Sequence, residues 1–220
     1  MHFIFDCDGV IIDSEILYAQ IAVQKLASVG YHTDTLTYCR RFSGMMDAAI
    51  LEIISRENNI YLSPDFHDEL KNEAAAAFQT QLLPISGMGD LIRNLALPVS
   101  IVSNSHLEHV QHGLSRAGIH HVPTTHIFTS QMVNRPKPAP DLYQFAIQTQ
   151  RLTPTNCIVV EDSEAGVTAA KAAGLTVVGF LGGGHITENH GEKLRRIGVD
   201  YLVQDAGELA TLFREKGLMG

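Results

Sequence analysis

The stretch Phe3-Ile4-Phe5-Asp6-Cys7-Asp8-Gly9-Val10 decides the fold. An apolar run stops at an aspartate, a second aspartate follows two positions later, and a glycine comes next. Strands of a parallel sheet are buried on both faces and read as continuous apolar runs, so this one ends where the carboxylates begin. Asp6 and Asp8 then project from its tip, and Gly9 permits a sharp exit from the sheet. Ligands of open α/β sheets collect in the crevice beyond the carboxyl ends of the strands. That makes the pair a candidate active site, although an Asp-x-Asp standing alone is more often a solvated loop.

The recurrence of the pattern raises the odds. Val99-Ser100-Ile101-Val102 is a second apolar run and ends in Ser103-Asn104-Ser105; Cys157-Ile158-Val159-Val160 is a third and ends in Glu161-Asp162-Ser163. If the three strands lie side by side, Asp6, Asp8, Ser103, Glu161 and Asp162 meet at one edge. Two unit charges 4 Å apart repel by roughly 4 kcal/mol at a surface-like dielectric, so four carboxylates need either protons or a cation. A set of hard oxygen ligands without convergent His or Cys favours magnesium over zinc. Lys137, in Asn134-Arg135-Pro136-Lys137-Pro138-Ala139-Pro140, is held by flanking prolines just before a helix and can serve as a placed positive charge.

From Asp13 to about Pro84 no β-branched run appears and the apolar spacing is helical. Asp13 or Ser14 can cap a first helix that Gly30 ends; further helices are expected near Thr35–Phe42, over Asp47–Asn58 and from Ser63-Pro64 onward. About 70 residues between successive strands exceed what a crossover needs, which implies a separate helical unit. The expected division is an α/β core over residues 1–13 and 85–220 and a helical cap over residues 14–84, hinged near Asp13–Glu15 and Gln81–Pro84. After Ile85 strands and helices alternate, as in a doubly wound parallel sheet.

The 220 residues suffice for one domain plus an insertion, and the formal charge of −8 argues against a nucleic-acid partner. Three cysteines, Cys7, Cys39 and Cys157, show no Cys-x-x-Cys spacing and read as reduced thiols of a cytoplasmic protein. No stretch reaches the ~20 apolar residues of a membrane span. No signal peptide is expected, since the first strand starts at the N-terminus. Three further features are read as bland. Gly182-Gly183-Gly184 lacks phosphate-loop spacing and is expected at the rim of the site; His106, His109 and His112 form a solvated helix face; His120 and His121 are exposed.

Asp6-Cys7-Asp8-Gly9, Ser103 after a strand, Lys137 among prolines and Glu161-Asp162-Ser163-Glu164-Ala165-Gly166 resemble, in order and spacing, the four motifs of the haloacid-dehalogenase-like hydrolase superfamily. The likeness spans residue 3 to about residue 185. It is greatest to the sugar-phosphatase and beta-phosphoglucomutase branch, with Val10 standing where many members have threonine. The resemblance implies a Rossmann-like core with an inserted helical cap, Mg2+ as cofactor and a phosphatase acting through an aspartyl-phosphate. It implies Asp6 as nucleophile, Asp8 as general acid and base, and Ser103 and Lys137 as ligands of the transferring oxygens. Asp6, the Asp8 carbonyl, Asp162 and Glu161 would hold the metal, with Glu161 either bound through water or at the edge of the shell.

Asp8 favours phosphoryl transfer over dehalogenation, because departing halide needs no acid whereas an alkoxide does. In mutase relatives a cap-loop glycine is followed three residues later by an arginine for the distal phosphate. Phe42-Ser43-Gly44-Met45-Met46-Asp47 has an aspartate there. The expected substrate is therefore one small phosphorylated metabolite, a sugar phosphate or a sugar-acid phosphate such as 6-phosphogluconate. Asn104, Gly44 and Arg41 are expected to contact it. A mutase and a phospho-accepting receiver domain remain the alternatives, and a monomer or weak homodimer is expected.

Overall fold

The computed structural model describes residues 1–42 and 44–219; Ser43 and Gly220 lie outside the described residues. Six parallel strands form one sheet in the order β3-β2-β1-β4-β5-β6. They are β1 (His2–Phe5), β2 (Val99–Ser103), β3 (Ile127–Thr129), β4 (Cys157–Glu161), β5 (Thr176–Phe180) and β6 (Tyr201–Val203). The chain starts in the middle of the sheet and winds outward in both directions. β1 lies between β2 and β4, with Phe5 level with Ile101 on one side and Val160 on the other. The three polar strand tips therefore sit side by side.

Period-two alternation assigns the two faces. Phe3 and Phe5 point into one apolar layer with Ile101, Val160 and Phe213; Ile4 points into the other with Val102, Tyr143, Val159 and Val167. Helices α5 (Met88–Arg93), α6 (Leu107–Arg116) and α10 (Ala206–Glu215) contribute to the first layer. Helices α7 (Asp141–Thr149), α8 (Glu164–Ala172) and α9 (His190–Ile197) contribute to the second. Each fully buried Phe, Ile or Leu contributes roughly 1.5–3 kcal/mol relative to exposure, so strands covered on both faces are the strongly held part of the molecule.

Between β1 and α5 run α1 (Ser14–Ser28), α2 (Thr35–Phe42), α3 (Asp47–Asn58) and α4 (Phe66–Gln81). They enclose an apolar cluster of their own, including Leu26, Tyr38, Phe42, Ile54 and Leu70. Neither expected cap residue caps α1. Asp13 makes no side-chain cap bond and instead accepts from the Gly184 amide at 2.9 Å, while the Ser14 hydroxyl donates to Asp8 at 2.6 Å. Both side chains are diverted into tying the linker to the site.

Candidate active site

The tip of β1 turns through Gly9, whose φ of 76° is in the left-handed region; a Cβ there would lie 1.9 Å from an Asp162 oxygen. A side chain at position 9 would collide with the β4 tip, so the close approach of the two acidic loops depends on glycine. Asp6, Glu161 and Asp162 each bring a carboxylate oxygen within 4.8 Å of the others, and all three are buried. Lys137 reaches in from the proline-flanked segment. Its Nζ donates to Asp6 Oδ1 (2.6 Å), Glu161 Oε1 (2.5 Å) and the Val102 carbonyl (2.7 Å). Asn104 fixes the lysine's main chain, donating to the Lys137 carbonyl at 2.9 Å and accepting from the Lys137 amide at 3.0 Å. Tyr143 donates to Glu161 at 2.8 Å.

Three buried carboxylates share one ammonium. Burial and the neighbouring carboxylates push Asp6 and Asp162 up, against the pull of Lys137. Burial alone would lower Lys137, but Asp6 and Glu161 outweigh it and keep the lysine charged. The surplus of negative charge among hard oxygen ligands fits a small divalent cation, whose charge would return the acids to carboxylates.

Asp8 lies apart from that nest and is held differently. Its Oδ1 accepts from Ser14 and faces His109 Nε2 at 2.8 Å; its Oδ2 accepts from Ser105 at 2.7 Å and Ser103 at 3.2 Å. Burial raises Asp8, but the His109 hydrogen bond and charge, with the Ser14 and Ser105 hydroxyls, outweigh it and hold the carboxyl at about 2. His109 is raised in return, chiefly by that hydrogen bond.

A cleft of about 1270 Å³ opens over both groups. Asp6, Asp8, Ser103, Asn104, Lys137 and Asp162 line its floor, while Tyr18, Tyr38, Gly44, Met46, Asp47, His67 and Lys71 line the helical side. Tyr18 donates to Asp47 Oδ2 at 2.6 Å, and His67 lies 3.5 Å from the same oxygen. Glu15 also faces the cleft. It is reached by water, yet enclosure by protein pushes it up to about 7, opposed by His185 and reinforced by Asp8 and Asp162.

Two expectations need correction. Arg41 does not line the cleft; it pairs with Glu57 on the outer side of the helical unit, a position α2 imposes by burying Tyr38, Cys39 and Phe42 instead. The three histidines are not one solvated face: His109 and His112 of α6 are half-buried, His109 meeting Asp8 and His112 bonding the Phe78 carbonyl at 3.0 Å, whereas His106, just before α6, is exposed at the rim of the cleft. Their three-residue spacing marked a common face; that the face met the site was not written in it. His185, next to the glycine run, was also missed. Its Nε2 lies 3.2 Å from Asp162 Oδ2, and His190 bonds the Asp162 carbonyl.

A parallel α/β sheet with acids at the tips of its central strands, a buried lysine among them and a helical insertion after the first strand defines a class of hydrolase cores. The chain belongs to the haloacid dehalogenase-like hydrolase family, which it matches over residues 3–180. It is 30% identical over 182 residues to the 6-phosphogluconate phosphatase of Escherichia coli (strain K12), covering 82% of each chain. Among solved structures it is similar to a conserved haloacid dehalogenase-like protein from Agrobacterium tumefaciens (TM-score 0.90, 29% identity, 98% of each chain covered). A haloacid-dehalogenase-family hydrolase from Deinococcus radiodurans, solved with bound phosphate and sodium, is also similar (TM-score 0.87, 32% identity, 99% of this chain and 96% of that one covered).

Proposed function

We propose that the protein is a magnesium-dependent phosphatase that hydrolyses a small phosphorylated metabolite, a sugar phosphate or a sugar-acid phosphate such as 6-phosphogluconate. The observation that carries this reading is the contact of Lys137 with Asp6 inside a buried carboxylate cluster, with Asp8 held separately two residues away. Asp6 attacks phosphorus in line and forms an aspartyl-phosphate; Lys137 and the Ser103 hydroxyl stabilise the transferring oxygens. Asp8 protonates the leaving oxygen and then activates water against the intermediate. Asp6, the Asp8 carbonyl, Asp162 and Glu161 would hold Mg2+, which supplies charge neutralisation between nucleophile and phosphate. The helical unit over residues 14–84 acts as the cap that limits access of water and selects the substrate.

The relative that hydrolyses 6-phosphogluconate and the phosphate bound in the Deinococcus structure support a phosphorylated ligand. Asp47, on the cleft wall where a mutase would carry a cation for a second phosphate, supports hydrolysis over the mutase reading. The buried, unpaired Cys7, Cys39 and Cys157 support a reducing, cytoplasmic setting. Among the described residues no helix is long and apolar enough to cross a membrane. The test is phosphate release from sugar phosphates, sugar-acid phosphates and p-nitrophenyl phosphate with Mg2+. Repeated turnover, abolished by EDTA and restored by Mg2+, is expected; release of no more than one equivalent would mean a receiver-like domain.

A further inference from the structure

We propose that His109 is a positioning residue: it holds the Asp8 carboxyl in the orientation from which Asp8 protonates the leaving-group oxygen. This rests on the phosphatase reading. Both Asp8 oxygens are occupied, by three serine hydroxyls and one imidazole. The hydroxyls can swing their protons about the Cβ–Oγ bond, so they follow the carboxylate rather than direct it. The imidazole is different, because its ring nitrogen has one fixed direction. Phe78 packs on the ring edge-on at a centroid distance of 5.2 Å. One turn further along α6, Gly113 lets the helix settle onto the β1 loop, since a Cβ there would come within 2.7 Å of Ile12. The helix, and His109 with it, is thereby set against the segment that carries Asp8.

The type of residue also fits the task. Serine and neutral histidine both donate or accept, so this shell can hold Asp8 as an acid or as a carboxylate; with Asp8 ionised, His109 faces it as the donor. An ammonium or guanidinium has only donors and would favour the carboxylate alone. In the step itself, the bond from Asp6 to phosphorus forms and the ester oxygen–phosphorus bond breaks. The electron pair stays on the departing oxygen, and that oxygen takes the proton from Asp8. Asp8 regains a proton from the water whose oxygen attacks phosphorus in the intermediate, as the Asp6 oxygen–phosphorus bond breaks, the electron pair returns to the Asp6 carboxylate and inorganic phosphate leaves.

The experiment compares kcat/KM for benzyl phosphate, whose alkoxide needs a proton to leave, with that for p-nitrophenyl phosphate, whose phenolate leaves without one. His109→Phe keeps the ring against Phe78 and loses the nitrogen; His109→Gln returns an N–H near the Nε2 position. Positioned general acids contribute about 10²–10⁴-fold, so His109→Phe is expected to shift the ratio of the two substrates at least about tenfold against benzyl phosphate. His109→Gln is expected to recover most of that shift, and Asp8→Asn to show it at full size. Should His109→Phe fail to fold, His109→Ala carries the same comparison. Equal losses on both substrates would make His109 merely structural, and no loss on either would make it idle; both overturn the proposal. If the wild type turns over neither substrate, the phosphatase reading itself fails, which is a separate result.

Discussion

At the sheet edge Asp6, Glu161, Asp162 and Lys137 are buried to 7% exposure or less, and Lys137 bonds Asp6, Glu161 and the Val102 carbonyl, tying together the tips of β1, β4 and β2. Across the cleft, Glu15 and Lys71 are exposed and Asp47 is half-buried, all carried on helices. Charges of the same kinds thus line one space in two regimes. Buried groups on strands are fixed and interact at low effective dielectric, which suits stabilising charge that develops during a reaction. Water-reached groups on helices interact weakly with each other and remain free to bond a substrate, which suits choosing among substrates. The same contrast separates Lys137 from Arg41. The lysine is enclosed and paired with Asp6, whereas the arginine is solvated and paired with Glu57.

Substitutions on the two sides should break or sharpen that division. Asp6→Asn is expected to remove turnover by at least about 10⁴-fold, the scale of deleting a nucleophile, with the melting transition intact; measurable phosphate release would displace Asp6 from that role. Lys137→Ala should cost on the order of 10²–10³ in rate and also roughly 3–5 kcal/mol of stability, because it leaves two buried carboxylates without their cation. Urea melts and kcat measured together would show both losses; Arg41→Ala run alongside should change neither by more than about twofold in rate. On the helical wall, Asp47→Ala should alter preference among sugar phosphates by about 10–100-fold, the scale of a charged hydrogen bond, while affecting p-nitrophenyl phosphate less. Parallel losses on every substrate would place Asp47 outside selection.

The smallest expected effect is one of pH. Glu15 has a folded-state value of about 7, above the ~4.3 of an unfolded glutamate, so the folded chain binds its proton more tightly. Its contribution to stability is therefore present at low pH and is lost as pH rises through about 7. In metal-free protein, Glu15→Gln should melt higher relative to wild type at pH 8 than at pH 5, by no more than about 2–4 °C given the group's access to water. A difference that stays constant with pH would remove Glu15 as a perturbed acid.

Much of the floor of the site was legible beforehand because it is built from strand ends. A strand announces itself by a local apolar run, and the residue that ends it must lie at the sheet edge. Asp6, Ser103, Glu161 and Asp162 could be assigned together on that basis, and the rigid prolines around Lys137 marked it as placed. The helical wall was less legible. Helical spacing shows which residues share a face but not what that face packs against, so His109 read as solvated and Arg41 as a ligand. His185 had no periodic signal at all; only the loop's return to Asp162 brings it in.

By itself, then, the order of residues determined a parallel α/β core, a helical insertion and the acids at its central strand tips, because each depends on patterns a few residues long. Tertiary structure alone decided which side chains complete the shell: that Asn104 and Tyr143 brace the Lys137 nest, that His109 meets Asp8 and that His185 meets Asp162. Those partners are separated by up to 101 positions along the chain, and such distances are closed only by the packing of whole elements, which no local pattern encodes.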